Sequence, residues 1–420
     1  MNNTTRVKLA CYLSNSTMAI VSNLSPLLFI TFRSLYDISY TWLGFLVLIN
    51  FLTQLSVDVV FSFFSHKFNI PLTVRLLPVI ACVGFVVYAA APILFGENIY
   101  IGILLGTVIF SASSGLGEVL LSPIIAALPS DNPDREMSKL HSIYAWGCVG
   151  SVLFGSLFIL FAGEKRWQIM TLIFTLLPLA SFLMFAGAKL PEMKTPEKVG
   201  GVIEQMKSKR LWLFFFAIFL GGAAECTMAQ WASSFAEAGL GIPKIYGDVF
   251  GVALFAVMLG LGRTLYAKFG KNITSVLLWG SVFAFVCYFV TALSPIPVIS
   301  LVSLALTGFF VSMLWPGTLI AAEEKISGGG VFLYAILAAG GDMGAALGPQ
   351  LVGAVTDLVG KNDMFLKLSE QMSLSIESLG MKLGILVGAL FPLFAIALFS
   401  AVKNLKTKHG KNIDKDNPLC

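Results

Sequence analysis

Four carboxylates interrupt otherwise apolar stretches of the sequence: Asp58, Glu118, Glu225 and Asp342. In hydrocarbon an ionisable side chain costs about 2.5 to 3.5 kcal/mol on insertion scales, and those retained face a cavity or a partner. At roughly 1.5 Å per helical residue, Glu118 lies ~15 Å from one end of its run, near the middle of a bilayer core ~30 Å thick. Glu225 and Asp342 come out ~20 Å from the same side, and Asp58 is shallower. Low dielectric penalises the carboxylate anion, so an acid at such depth can take a proton from the wet side and release it when its exposure changes. Glu118 leads for this proton-carrying role, with Glu225 and Asp342 as further candidates. Asp58 shares a helix face with Gln54 near the loop that follows, and is expected to latch a gate together with Lys67 and with Arg263, the cation nearest the buried acids. The plainer alternative for each acid is a hydrogen bond or ion pair at a helix contact.

Uncharged polar residues extend the pattern. Asn15, Asn23, Asn50, Gln54, Gln230 and Gln350 are expensive in lipid without partners. They act either as glue between helices or as donors and acceptors for a hydroxyl-bearing solute. The expected binding set is Asn15, Asn23, Glu118, Glu225, Gln230, Trp231 and Gln350. Trp231 follows Glu225 and Gln230 in a helix that Gly221 and Gly222 are expected to break open, and its ring could cover the apolar side of a solute. Trp146, Trp279 and Trp315 also lie deep, where packing is the ordinary explanation. Trp42, Trp167 and Trp212 stand at the ends of runs, where interfacial aromatic belts belong. Gly340, Gly344 and Gly348 recur every four residues and permit close helix approach, Pro349 removes a backbone donor and is expected to kink its helix, and Gly147, Gly150 and Gly155 repeat the theme less regularly. These glycines mark either moving parts or close static packing.

Positioning such residues requires a scaffold that lives in a membrane. Of 420 residues 57% are apolar, and only 28 basic and 23 acidic residues are present. That supplies about twelve helices of roughly 20 apolar residues each and excludes a soluble domain, a disordered chain and a disulfide scaffold. Continuous runs such as LWLFFFAIFLGG and LVGALFPLFAIALFSAV lack the alternation of a β-barrel. Helices are predicted over 7–33, 38–64, 71–93, 98–128, 138–162 and 166–188, then over 210–236, 247–267, 273–293, 296–321, 329–357 and 381–403.

An even number of spans puts both termini on one side. Placing that side in the cytoplasm assigns it most of the 28 basic residues, including Arg6, Lys8, Lys67, Arg75, Lys189, Lys198 and Lys325, as the bias of cytoplasmic loops requires. The net charge of +5 is then topological, and no nucleic-acid partner is expected. The sequons at Asn3 and Asn272 fall on that same side. The polar stretch KLPEMKTPEKVGGVIEQMKSKR divides the chain into a bundle over 1–188, a cytoplasmic linker over 189–209, a second bundle over 210–403 and a cytoplasmic tail over 404–420. The halves echo one another: His66-Lys67-Phe68-Asn69 against Ala267-Lys268-Phe269-Gly270, Pro123 against Pro316 with Ile-Ala-Ala following each, and Ile143-Tyr144-Ala145 against Leu333-Tyr334-Ala335. Such a duplication predicts a binding site near the midplane between the halves and transport by rocking about it.

The six-plus-six plan with its long charged central loop resembles the major facilitator superfamily, which implies an all-α membrane fold of twelve helices in two pseudo-symmetric bundles. The superfamily's signature between spans two and three is present in altered form as Ser62-Phe63-Phe64-Ser65-His66-Lys67-Phe68-Asn69. Gly115-Leu116-Gly117-Glu118 with Pro123, and Glu225-Cys226-Thr227-Met228-Ala229-Gln230-Trp231 with Gly262-Arg263, are similar to the fucose/galactose/glucose:proton symporter family. By that resemblance Glu118 takes the place of the family's proton-linked carboxylate in span four, while the family's acid in span one is replaced by Asn23.

The expected function is proton-coupled uptake of a small polar metabolite such as a sugar, by a monomer in the plasma or inner membrane. The coupling proton takes the place of a cofactor, and no metal is expected. The alternative is a proton-driven exporter of drugs or metabolites on the same fold, but the resemblance implies a Gly-Pro motif in span five of exporters, and GCVGSVLFGSLF has no proline. A channel or receptor is disfavoured by the duplicated halves. No nucleophile–base pair, nucleotide loop or metal motif supports an enzyme.

Overall fold

The computed structural model describes residues 2–64, 67–129, 133–191, 207–326 and 330–405. His66, most of the 189–209 linker and all but the first residues of the tail lie outside them. The chain folds into twelve membrane-crossing helices in two six-helix bundles. Span one consists of Asn3–Leu27 and Phe29–Tyr36, bent by 43°. Spans two to six are Tyr40–Phe64, Ile70–Ala89, Ile99–Ala127, Pro133–Ala162, and the pair Trp167–Phe174 and Leu176–Ala186. Spans seven to nine are Lys209–Ser234, Leu254–Phe269 and Ile273–Leu293. Span ten is Pro297–Val311 with Pro316–Lys325, span eleven Gly330–Gly360, and span twelve Ile376–Gly388 with Leu390–Lys403. Span eleven, a single helix of 31 residues, carries Asp342, Gln350 and a glycine stripe.

The breaks follow backbone chemistry. Pro26 cannot donate to the preceding turn, and span one bends just after it, at Leu28. Span ten opens before Pro316, which has no N–H to close the helical turn onto the Ser312 carbonyl. One feature differs from the sequence reading. Gly221 and Gly222 do not break span seven: both lie inside one continuous helix, close against Leu314 and against Gly341 and Trp315. Pro349 lies inside the continuous helix of span eleven.

The Gly340–Gly344–Gly348 stripe packs span eleven onto span seven in register. Added Cβ atoms would meet Phe215, then the Phe219 carbonyl, then Thr227 and Ala223. Short π-helical turns, Phe235–Gly239 and Gly247–Ala253, follow span seven and precede span eight. A helix, Asp363–Gln371, occupies the loop between spans eleven and twelve.

Asn3 exchanges hydrogen bonds with the backbone of Lys189, both at 2.8 Å, and Lys325 Nζ donates to the Leu405 carbonyl at 2.7 Å. These contacts define a terminal face and an opposite, distal face. The main apolar core crosses between the bundles, joining Phe29, Tyr40 and Leu43 with Trp231 and Phe235. A second core, with Val7, Val74, Leu120 and Phe185, lies near the terminal face and belongs to the first bundle alone. Three tryptophans leave their expected places: Trp167 is fully buried and donates to the Tyr36 hydroxyl at 3.0 Å, whereas Trp146 and Trp279 are exposed.

Candidate functional site

Asn50, Gln54 and Asp58 recur every four residues and so share one face of span two. Span four answers with Ser111, Ser114 and Glu118. Ser111 Oγ donates to Asn50 Oδ1 at 2.5 Å, Ser114 Oγ donates to Gln54 Oε1 at 2.9 Å, and Gln54 Nε2 reaches Asn50 Oδ1 at 3.3 Å. Gly115 allows this approach, since a Cβ there would stand 3.0 Å from the Gln54 carbonyl. The next rung of the ladder brings Asp58 to Glu118, and Asp342 of span eleven joins them from the second bundle. One carboxylate oxygen from each of the three lies within 4.8 Å of the others.

Asp342 is only 4% exposed, and its Oδ2 has no hydrogen-bond partner; Asp58 Oδ1 is also buried and unpartnered. Glu118 is exposed, although two helices flank its carboxyl group, so it faces open space inside the bundle. Among the described residues, no lysine or arginine forms an ion pair with any of the three. Two unit charges 4.8 Å apart repel by about 3.5 kcal/mol at an effective dielectric near 20. Three carboxylates so placed cannot all stay charged without a proton or another cation among them.

A second polar group lies beside this one. Pro316 has no N–H to offer Ser312, four residues back, and Arg263 Nε donates to that freed carbonyl at 3.0 Å. The Arg263 guanidinium then donates to both oxygens of Glu225, at 3.2 and 3.3 Å. Across from it on span five, Tyr144 donates to Ser22 at 3.0 Å, and Cys148, one turn on, is within hydrogen-bonding reach of Asn23.

The structure thus brings Asp58, Glu118 and Asp342 together, and pairs Glu225 with Arg263. Other residues of the expected set lie apart. Asn15 Nδ2 donates to the Leu140 carbonyl at 2.6 Å, tying span one to span five. Asn23 Nδ2 donates to the Ala19 carbonyl of its own helix at 2.8 Å. Trp231 is fully buried between the bundles, donates to the Pro349 carbonyl at 2.8 Å, and packs on Phe29 and Tyr40. Gln230 and Gln350 each hold a buried, unpartnered Oε1, Gln350 standing against Gly44 of span two. Lys67 is exposed near the terminal face, its ammonium 5.1 Å from the centre of the Phe64 ring. The sequence reading gave Asp58 a gating role and passed over Ser111, Ser114 and Tyr144. The four-residue polar stripe on span two was the available signal, and it lacked only a partner helix.

In the first turn of the span-five helix, ahead of its membrane-crossing stretch Ser142–Ala162, Glu136 accepts from Lys139 at 2.9 Å, Lys8 at 3.0 Å and Tyr12 at 3.1 Å. Hydrogen bonds from Lys139, then Lys8, hold its carboxyl down from 4.5 to about 2. On the distal face the bundles are tied directly: Arg33 Nε donates to Glu377 at 3.1 Å, and Asp357 caps span two by accepting from the Thr41 and Tyr40 amides at 2.7 and 3.3 Å.

A family model described as Major Facilitator Superfamily matches residues 10–349. No curated protein matches the chain in sequence. Among solved structures, a bacterial homolog to the human lysosomal transporter Spinster, inward-facing and occupied, superposes with a TM-score of 0.76 at 14% identity, over 97% of this chain and 98% of that one. A D-xylose–proton symporter gives 0.68 at 14% identity, over 93% and 96%. The E. coli fucose:proton symporter gives 0.58 at 15% identity, over 94% and 99%. At these identities the likeness is one of fold.

Proposed function

The chain belongs to the major facilitator superfamily and is a multi-pass membrane transporter, and from that premise we propose that it takes up a small polar metabolite, such as a sugar, in symport with protons. The observation that carries this reading is the convergence of Asp58, Glu118 and Asp342 within 4.8 Å. Asp58 and Glu118 belong to one bundle and Asp342 to the other, so rocking of the bundles separates the acids and changes how readily each holds a proton. A proton shared among them draws the bundles together, and its loss leaves like charges that push them apart. Glu118, facing open space, exchanges the proton. The Glu225–Arg263 pair and, across from it on span five, Tyr144 offer donors and acceptors to a hydroxylated solute. Two of the structural relatives named above are proton symporters for xylose and fucose, which supports this solute class. The basic residues of the terminal face support a cytoplasmic orientation for it.

The test is Glu118→Gln, which fixes a neutral side chain at the exchanging position. Each charge moved across the membrane contributes ~2.3 kcal/mol of drive per 100 mV, and this variant cannot collect it. With a solute found by thermal-shift screening, exchange across proteoliposomes should persist while uphill accumulation is lost. Undiminished accumulation by the variant would take the proton away from Glu118.

A further inference from the structure

On the distal face, away from the three acids, a cavity of about 910 Å³ lies between the end of span one, the turn after span seven, the turn joining spans nine and ten, and the start of span twelve. Its size is that of a small-molecule site. Leu240, Leu379 and Leu383 give it apolar walls, and four charged side chains line it: Arg33, Glu377, Glu237 and Lys382. The first two satisfy one another. The other two do not.

Lys382 Nζ reaches only the carbonyls of Ala292 and Ser294, each at a long 3.4 Å. Glu237 has a buried Oε2 without a hydrogen-bond partner. Lys244, seven positions along, is committed to Asp248 and Ser233. Among the described residues neither Glu237 nor Lys382 forms an ion pair. A half-buried charge without a counterion is costly, and here one of each sign stands in the wall of the same apolar cavity. The geometry points to a second ligand site, away from the three acids, that takes a zwitterion with an apolar body: its ammonium on Glu237, its anionic group on Lys382, and its apolar part against the leucines. Arg33 and Tyr40 of the first bundle also line the cavity, so an occupant holds the distal seam closed. The same chemistry is offered by a free zwitterion such as a short apolar peptide and by a zwitterionic lipid headgroup at the membrane boundary.

Titration calorimetry on the purified full chain in maltoside separates these sources. The probes are leucyl-leucine and, below its micellar concentration, dihexanoyl phosphatidylcholine, with dihexanoyl phosphatidylglycerol as the control without an ammonium. One zwitterion should bind and the control should not. Binding should weaken at least tenfold in both Glu237→Gln and Lys382→Gln, while Glu118→Gln binds like the parent chain. Leu240→Trp, which fills the cavity and leaves both charges in place, should abolish binding and covers the case in which a charge variant fails to fold. Binding of the peptide alone assigns a free zwitterion, and binding of the phosphatidylcholine alone assigns a lipid. Absence of binding by either, binding unchanged in both charge variants, or a loss confined to one of them overturns the assignment.

Discussion

Trp231 separates a residue that holds the fold from one that holds a solute. Its ring is fully buried against Phe29 and Tyr40, and its N–H is spent on the Pro349 carbonyl. Truncating a buried tryptophan costs about 3 to 5 kcal/mol, so Trp231→Ala should lower the melting temperature sharply while the surviving protein binds solute with unchanged affinity. Weaker binding at an unchanged melting temperature would return Trp231 to the binding site. Glu136 gives a prediction in pH. Its carboxyl is held from 4.5 down to about 2 by Lys139 and Lys8, so the folded state binds this proton less readily than the unfolded chain does. The resulting stability is complete above the ordinary value and is lost as pH falls from about 4.5 toward 2. Melting curves of the parent and Glu136→Gln should therefore differ at pH 6 and converge through that acid range; a gap that widened on acidification would contradict the assignment. Depth was legible in the sequence for these residues, because counting along a helix measures it. Direction was not: Trp231 and Glu225 stand six positions apart on one span, and only the packing of spans two, seven and eleven decides which faces the seam and which faces Arg263.

Helices were the most legible elements, since each apolar run must satisfy its own backbone in lipid. Their breaks at Pro26 and before Pro316 depend on single residues that were visible, but what a break does is decided by its neighbours. The freed Ser312 carbonyl matters because Arg263 reaches it. The π-helical turns flanking the loop between spans seven and eight left no mark in the apolar pattern. Glycine spacing on span eleven was legible as a contact stripe, and the structure assigns it to packing on span seven within one bundle. A Cβ on Gly344 would come within 2.0 Å of the Phe219 carbonyl, a backbone atom that cannot swing aside. Gly344→Ala should therefore destabilise by about 1 to 3 kcal/mol, read as a drop in melting temperature. Gly150→Ala is the control: nothing lies within 4 Å of its added Cβ, and alanine favours the helix by about 1 kcal/mol. Equal effects at the two positions would mean that the stripe does not set the contact.

At the scale of the whole molecule, the bundles meet differently at their two ends. Distally they share an apolar core, a cap from Asp357 onto span two and the Arg33–Glu377 pair. Toward the terminal face, the first bundle keeps a core of its own, and the acids of spans two, four and eleven stand between the halves. A duplicated plan with a midplane site could be read from the sequence; the pairing of Asp58 and Glu118 with an acid from the other bundle could not, because it depends on how the halves are docked. The account rests on those three acids carrying the coupling ion. The direct test is proton movement in proteoliposomes loaded with a pH-sensitive dye, when a gradient of the identified solute is imposed without any pH gradient. The parent chain should move protons together with solute, and Asp58→Asn, Glu118→Gln and Asp342→Asn should each abolish proton movement while solute exchange continues. Solute flux in the parent chain without proton flux, or proton flux surviving in all three variants, would contradict the account.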